Sequence, residues 1–300
     1  MAARAEAPRR GGTAGRIAAE AVLAALARLR PAAAWRLADA VAGLAAGRRA
    51  RVVAERNVAL CLPQLDPERR AAVVRASLRH AARAYLEAPG LWRLSPPALA
   101  RRVAAVEGEA ALAGPLAAGR GVLLLVPHLG SWELVGLWCS ARWPMTSLYR
   151  PQHWAVDRYI RRARERHGAR LLPAGTAGVR GLYQSLREGR LVGMLPDHVP
   201  RTGGVFAPFF GEPALTTTLP ARLLARTGAA AVVGCALRLP GGRYRLRFVP
   251  APPALAATDP AEAAAALNAA IAALIESAPE QYLWTYKRFK ARPPGAAPVY

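Results

Sequence analysis

Lysine is almost missing from this chain. Lys287 and Lys290 are the only two among 300 residues, so a net charge of +23 rests on arginine. Acid is scarce as well, with 19 Asp and Glu against 42 Lys and Arg. GC-rich codon usage accounts for any single arginine, but the sum still attracts anionic partners: nucleic acid, a membrane surface, phosphorylated lipid or an acidic carrier protein. Zinc-ligand spacing, an RNA-binding sheet signature and a long basic arm are all absent, which argues against nucleic acid. Cysteine is rare: Cys61, Cys139 and Cys235 are odd in number, far apart and set in apolar segments. They read as reduced core residues of a cytosolic protein rather than a disulfide framework or a metal site. No uncharged apolar run reaches the ~18 residues a membrane span needs. The first residues, with Arg4, Arg9 and Arg10, do not lead into the apolar core and cleavage site of a signal peptide. A Gly-x-Ser-x-Gly nucleophile elbow is also lacking.

What the chain does hold is concentrated between Gly121 and Gly136. Val122 to Val126 is an unbroken apolar run bounded by Gly121 and Pro127, the pattern of a buried strand. A turn follows over Pro127–Gly130. Ser131 is then placed to cap a helix that starts with Trp132, Glu133 and Leu134. His128 thus stands where a central strand ends, with Glu133 in the first turn of the next helix. Open α/β sheets collect catalytic groups at that edge. Imidazole accepts a proton near pH 7, and a carboxylate on its second nitrogen fixes the tautomer, so the pair suits general-base activation of a hydroxyl. By itself the pair is equally compatible with a histidine satisfied by backbone and a glutamate favoured by the helix dipole.

The chain falls into a helical portion, residues 1–110, and an α/β portion, 111–300. Residues 1–13 are expected to be disordered, and helices are expected at 16–29, 35–46, 51–62, 71–88 and 96–102. Asp66 caps the fourth helix with Pro67 at its first position, and Pro89-Gly90 ends it. Ile17, Val22, Leu23 and Leu26 form an apolar face on the first helix, interrupted by Glu20 and Arg28, so it lies on a membrane surface or on the core. Past His128, strands at 145–148, 170–173 and 191–195 alternate with helices at 157–166 and 179–188. That spacing predicts a largely parallel sheet with crossover helices. It puts Arg150 and Asp197 at strand ends beside His128. Gly203–Gly211 reads as an apolar loop carrying Phe209 and Phe210. A helix runs to Arg226, followed by strands at 230–237 and 243–249, the latter alternating as a half-exposed or edge strand does. An alanine-rich helix, 260–277, precedes the closing segment 279–290.

These motifs, taken together, resemble the lipid A biosynthesis acyltransferases of the lysophospholipid acyltransferase superfamily. His128-Leu-Gly-Ser-Trp-Glu133 matches the His-x4-Asp/Glu signature. More specific are Tyr149-Arg150-Pro151, Pro196-Asp197, Val205–Gly211, Arg56-Asn57 and Glu280–Lys290. The likeness runs from about residue 45 to the C-terminus. It implies a glycerolipid-acyltransferase-like fold: a mixed, mainly parallel sheet flanked by helices. It also implies transfer of a fatty acyl chain from acyl-carrier protein, or acyl-CoA, to a hydroxyl of a lipid A precursor or other glycolipid at the cytoplasmic face of a bacterial inner membrane. On this resemblance His128 is the base and Glu133 its orienter. Arg150 binds acceptor phosphate or the oxyanion, and Asp197 organises the site or a substrate group. Neither metal nor cofactor is implied, and direct attack without an acyl-enzyme is expected. His198 stands where the family usually has Gln, which leaves that position's role open.

Phe209 and Phe210 are candidates to line a slot for the acyl chain. Each residue also has a plain structural reading: Arg150 as a solvated strand-end charge, Asp197 as a turn former, Phe209 and Phe210 as core. His80, His153 and His167 read as structural or surface residues. Arg158, Arg161, Arg162, Arg164 and Arg166 are either a solvated helix face or a dock for carrier protein or lipid phosphate. Two readings remain beside the acyl-carrier-dependent enzyme: an acyl-CoA-dependent relative, and a non-catalytic basic membrane-surface protein.

Overall fold

The computed structural model describes residues 13–45, 47–152 and 155–300. The segment 1–12, expected to be disordered, and His153 lie outside them. Five helices come first: α1 (Thr13–Leu26), α2 (Pro31–Ala45), α3 (Arg48–Cys61), α4 (Pro67–Trp92) and α5 (Pro96–Ala100). Pro31, Pro67 and Pro96 each open a helix, where a missing N–H costs nothing. Asp66 caps α4 as expected, its carboxylate accepting the Arg69 N–H at 2.8 Å. Pro89, expected to end that helix, lies inside it. Burial of Ala88, Leu91 and Trp92 carries the helix past the proline. The expected apolar face of α1 is divided: Leu23 and Leu26 are half-buried, whereas Ile17 and Val22 are exposed.

The remainder alternates. β1 (Val103–Glu107), α6 (Ala110–Ala117), β2 (Val122–Leu125), α7 (Trp132–Ser140) and β3 (Met145–Tyr149) lead to α8 (Asp157–Glu165) and β4 (Arg170–Pro173). α9 (Thr176–Arg187), β5 (Leu191–Met194), β6 (Gly204–Phe209), β7 (Glu212–Thr217) and α10 (Leu219–Thr227) follow. β8 (Ala230–Leu239), β9 (Arg243–Pro250) and α11 (Pro260–Glu276) complete the order. The seven-stranded sheet has the order β1-β9-β8-β2-β5-β3-β4. All its pairings are parallel except β8 with β9. The expected mixed, mainly parallel sheet flanked by helices is therefore present. Of the two readings of β9, half-exposed or edge, the first holds: its burial alternates, and β1, a strand not expected from the sequence, pairs beyond it. Alternation reflects one covered and one open face, which an interior strand also has.

β2 shows how the sheet is built. Its four residues are wholly buried, and successive side chains enter opposite cores. Leu123 and Leu125 join α3, α9, α10 and α11 on one face. Val122 and Leu124 join Trp35, Trp92, Leu112 and Trp138 on the other.

Gly203–Gly211, expected to be a loop, is instead largely the first strand and turn of the β6–β7 hairpin. The turn residues Phe210 and Gly211 both have positive φ, 52° and 82°, the geometry that matches strand twist in a two-residue turn. Gly211 adopts it freely. Phe210 is held there by packing on Phe209 at 4.9 Å and Trp284 at 6.0 Å.

The two layers on one face are joined by a buried ion pair between Glu87 of α4 and Arg238 of β8, both side chains 1% exposed. Two charges out of water are tolerated only when their hydrogen bonds are filled. Here Glu87 also accepts from Trp35, Ser131 and Tyr244 at 2.6, 2.6 and 3.0 Å. Replacing Arg238 alone leaves that carboxylate without its cation. The Arg238→Met variant should lose about 3–5 kcal/mol of stability in urea unfolding, part of it regained in the double variant with Glu87→Gln. A loss below ~1 kcal/mol for the single variant would show that the pair carries little of the fold.

Candidate active site

β2 and β5 are adjacent and parallel, with Leu125 opposite Met194. His128 and Asp197 each lie three residues beyond those partners, so the register itself delivers an imidazole and a carboxylate to one spot. His128 donates its backbone N–H to Asp197 Oδ2 at 2.9 Å, and its Nδ1 stands 2.8 Å from Oδ1. An ionised carboxylate only accepts, so the proton of neutral His128 belongs on Nδ1 and the lone pair on Nε2. Asp197 is 1% exposed and takes a third hydrogen bond from the Tyr282 hydroxyl at 3.2 Å. Burial alone would raise its carboxyl. The His128 charge and hydrogen bonds outweigh burial and hold the carboxyl well below the usual carboxylate range.

The turn carrying His128 is fixed from three sides. Gly130 has φ +62°, and a Cβ there would sit 2.1 Å from the Ala236 carbonyl oxygen of β8, so only glycine fits. Arg238 donates to the Gly130 carbonyl at 3.0 Å. Ser131 stands at the N-cap of α7 but does not cap it with its side chain; the hydroxyl is drawn to Glu87 instead. From the closing segment, Leu283 N–H donates to the His128 carbonyl and Gly130 N–H to the Gln281 carbonyl, both at 3.0 Å. Asn57 of α3 in turn holds that segment, donating to the carbonyls of Trp284 and Tyr286 at 2.6 and 2.8 Å. The Arg56-Asn57 and Glu280–Lys290 motifs are thus two halves of one clamp.

Asp197 is what the imidazole meets, and Glu133 is not. Glu133, expected to orient His128, makes no contact with its ring among the described residues. A residue in the first turn of α7 points along that helix: Glu133 forms an ion pair with Arg164 of α8 and accepts from Trp92 Nε1 at 2.9 Å. Its neighbour Trp132 covers His128, with ring centroids 5.0 Å apart. Arg150 is exposed just past β3, on the same sheet edge. Phe209 is 1% exposed, packed near Tyr282 and under the Arg288 guanidinium, and Phe210 is half-buried against Trp284. Both aromatics belong to the core that backs the dyad.

His198 is stacked between His128 and Tyr286, with centroids at 3.9 and 3.7 Å and planes within 12°. Its buried Nε2 has no hydrogen-bond partner among the described residues. Burial first, then the positive charge of His128, pushes its pKa down to about 4. His80, half-buried beneath Arg238, is pushed down to about 3 by burial and that guanidinium. His167 is half-buried rather than fully at the surface, and burial lowers it too.

Nucleophiles nearby are disarmed. Cys139 is wholly buried in α7 with its thiol pushed up by burial, and burial pushes Cys235 up to about 12. Ser131, 2% exposed, gives its proton to Glu87. Among the described residues no three His, Cys, Asp or Glu side chains are grouped to hold a metal ion.

The His198 environment has a measurable consequence. A histidine whose folded pKa is about 4, against ~6.5 when unfolded, takes its proton mainly in the unfolded chain between those values. Stability should therefore fall as pH drops from ~6.5 to ~4, His198 contributing no more than about 3 kcal/mol. In His198→Gln the dependence of the urea midpoint on pH should flatten across that window. An unchanged slope would mean that His198 protonates as readily in the fold as outside it.

Known proteins with this sequence pattern agree on its nature. The model of the bacterial lipid A biosynthesis acyltransferase family matches residues 5–291. The lipid A biosynthesis palmitoleoyltransferase of Escherichia coli (strain K12) is 32% identical over 257 residues, 84% of this chain and 83% of that protein. The lipid A biosynthesis lauroyltransferase of the same organism is 30% identical over 259 residues, again 84% and 83%. A phosphatidylinositol mannoside acyltransferase of Mycolicibacterium smegmatis is 31% identical, over 53% of each chain. The chain that carries this His128–Asp197 dyad at its sheet edge is matched along almost its whole length and belongs to the bacterial lipid A biosynthesis acyltransferase family.

Proposed function

We propose that this enzyme transfers a fatty acyl chain from acyl-carrier protein to a hydroxyl of a lipid A precursor in lipopolysaccharide biosynthesis, with His128 as general base. The dyad geometry supports the reading best. Asp197 holds the Nδ1 proton, and Nε2 is left to take the proton of the acceptor hydroxyl. The freed oxygen attacks the thioester carbonyl, and the tetrahedral oxyanion collapses with loss of the thiolate. That thiolate leaves with the proton returned by the imidazolium. Asp197 offsets the charge that His128 carries in between.

Arg150, the exposed cation on this edge, is assigned to the oxyanion or an acceptor phosphate. Phe210, the partly exposed aromatic of the hairpin turn, is assigned to the acyl chain. Glu133 becomes a positioning carboxylate that ties α8 and Trp92 to the start of α7. Burial of Cys139 and the bond of buried Ser131 to Glu87 support direct attack. Catalysis takes place at the cytoplasmic face of the inner membrane. No helix among the described residues is long and apolar enough to cross a membrane. Attachment is assigned to α1 and α2, which expose Ile17, Val22, Leu37 and Val41.

Mass spectrometry of the product tests this. Wild-type enzyme given a lipid A precursor and acyl-carrier-protein donors of several chain lengths should add one acyl group, and His128→Ala should be slower by roughly 10²–10⁴-fold. Transfer from acyl-CoA alone, or to a mannoside glycolipid alone, would overturn the donor or acceptor while keeping the chemistry. A trapped acyl-enzyme would overturn direct attack.

A further inference from the structure

Beside the catalytic edge, α1, the end of α4 and α8 enclose a groove of about 400 Å³ that the mechanism does not use. Its rim carries Arg93, Arg158, Arg162 and Arg166, all exposed, and Glu20 is its only acid among the described residues. Glu20 engages Arg158 at 3.8 Å, and Arg93, Arg162 and Arg166 have no ion-pair partner among the described residues. Four guanidinium groups around one recess repel one another unless an anion sits among them. The walls between them are apolar, formed by Ala24, Trp92, Tyr159 and Ala163.

The surroundings favour a lipid over a protein partner. The outward residues of α1, which forms one wall, include Ile17, Ala18, Ala21, Val22 and Ala25, with Ile17 and Val22 each 59% exposed. The following helix, α2, which like α1 packs on α4, exposes Leu37 and Val41 at 41% and 39%. A helix face left apolar in water belongs against acyl chains. Arginines beside such a face then lie at headgroup depth, where bidentate guanidinium–phosphate pairing is strong. A recess suits a headgroup better than the flat acidic helix of a carrier protein, which binds to a broad patch.

We propose that this arginine groove is a docking site for the phosphate headgroup of an anionic phospholipid, seating the enzyme on the membrane with α1 and α2 against the acyl chains. The proposal rests on the membrane reading given above but not on the acyl-transfer chemistry. Trp92, which lines the groove and hydrogen-bonds Glu133, connects this seat to α7.

The full chain should be assayed by co-sedimentation with phosphatidylglycerol–phosphatidylcholine vesicles and with phosphatidylcholine vesicles alone. The double variant Arg162→Ala/Arg166→Ala removes two groove charges. Arg161→Ala/Arg170→Ala removes two exposed charges outside the groove and serves as the control. At about 1 kcal/mol per arginine, the groove variant should bind anionic vesicles about thirtyfold more weakly, and the control only a few-fold. Thermal melts of both should match wild type, since all four residues are exposed. Equal losses in the two variants would reduce the effect to bulk charge and overturn the site. Millimolar inorganic phosphate abolishing wild-type vesicle binding would make free phosphate the ligand. Unchanged vesicle binding with lost binding of acyl-carrier protein would make the groove a carrier dock. Failure of wild type to bind any vesicle would overturn the membrane reading itself.

Discussion

The buried pair of Glu87 and Arg238 is the constraint on which the edge carrying the His128–Asp197 dyad depends. Removing two charges from water costs several kcal/mol each, and only dense hydrogen bonding offsets that. The structure supplies it from α2, α7 and β9 through Trp35, Ser131 and Tyr244, and from the His128 turn through the Gly130 carbonyl. Satisfying this pair therefore fixes how α4 sits on the sheet, where α7 begins and how the chain turns after β2. An apolar substitute would pack as well. It would not specify where the turn carbonyl and the Ser131 hydroxyl must point, and that orientation sets His128.

With the turn fixed, the dyad follows from strand register. Parallel neighbours with equal offsets bring His128 and Asp197 together without a long loop, and the backbone N–H of His128 adds a second contact to the same carboxylate. Asp197 is so buried that it would be protonated without a cation, and His128 answers that need only while it shares or carries a proton. In the mechanism proposed above, a histidine stabilised in this way gains most on becoming imidazolium, as the acceptor hydroxyl is activated. Stacking on His198, which resists protonation itself, keeps a second positive charge away from that ring.

Much of this was legible in the sequence. β2 showed as a short apolar run, Asp66 as a cap, and the strand ends placed His128, Arg150 and Asp197 on one edge. The error concerned partnership. His-x4-Glu spacing suggests a pair because the two residues are close in sequence, yet a helix begins between them and carries Glu133 toward α8. The partner came from the neighbouring strand, a relation that depends on strand order and cannot be seen in spacing. β1 was missed because Val103–Glu107 is short and follows helix-favouring residues. The β6–β7 hairpin was missed because Pro208 and Pro213 read as loop, although prolines are tolerated in a two-stranded sheet lying outside the main one. Glu87 and Arg238 did leave a signal: one is the only acid in α4 after Glu68, the other the only charge in β8. The lone late acid of α4, on its buried face, and the lone charge of the apolar β8 are natural partners.

The central assignment is that Asp197, and not Glu133, sets the proton on His128. Nitrogen-15 NMR of the imidazole, with protein labelled at histidine, reads this directly at a pH where the ring is neutral. Wild type should show the proton on Nδ1, and Glu133→Gln should keep it there. Asp197→Ala should lose that preference, because the acceptor on Nδ1 is gone. The reverse pattern, with the tautomer insensitive to Asp197 and lost in Glu133→Gln, would contradict the dyad and restore the pairing that sequence spacing suggests.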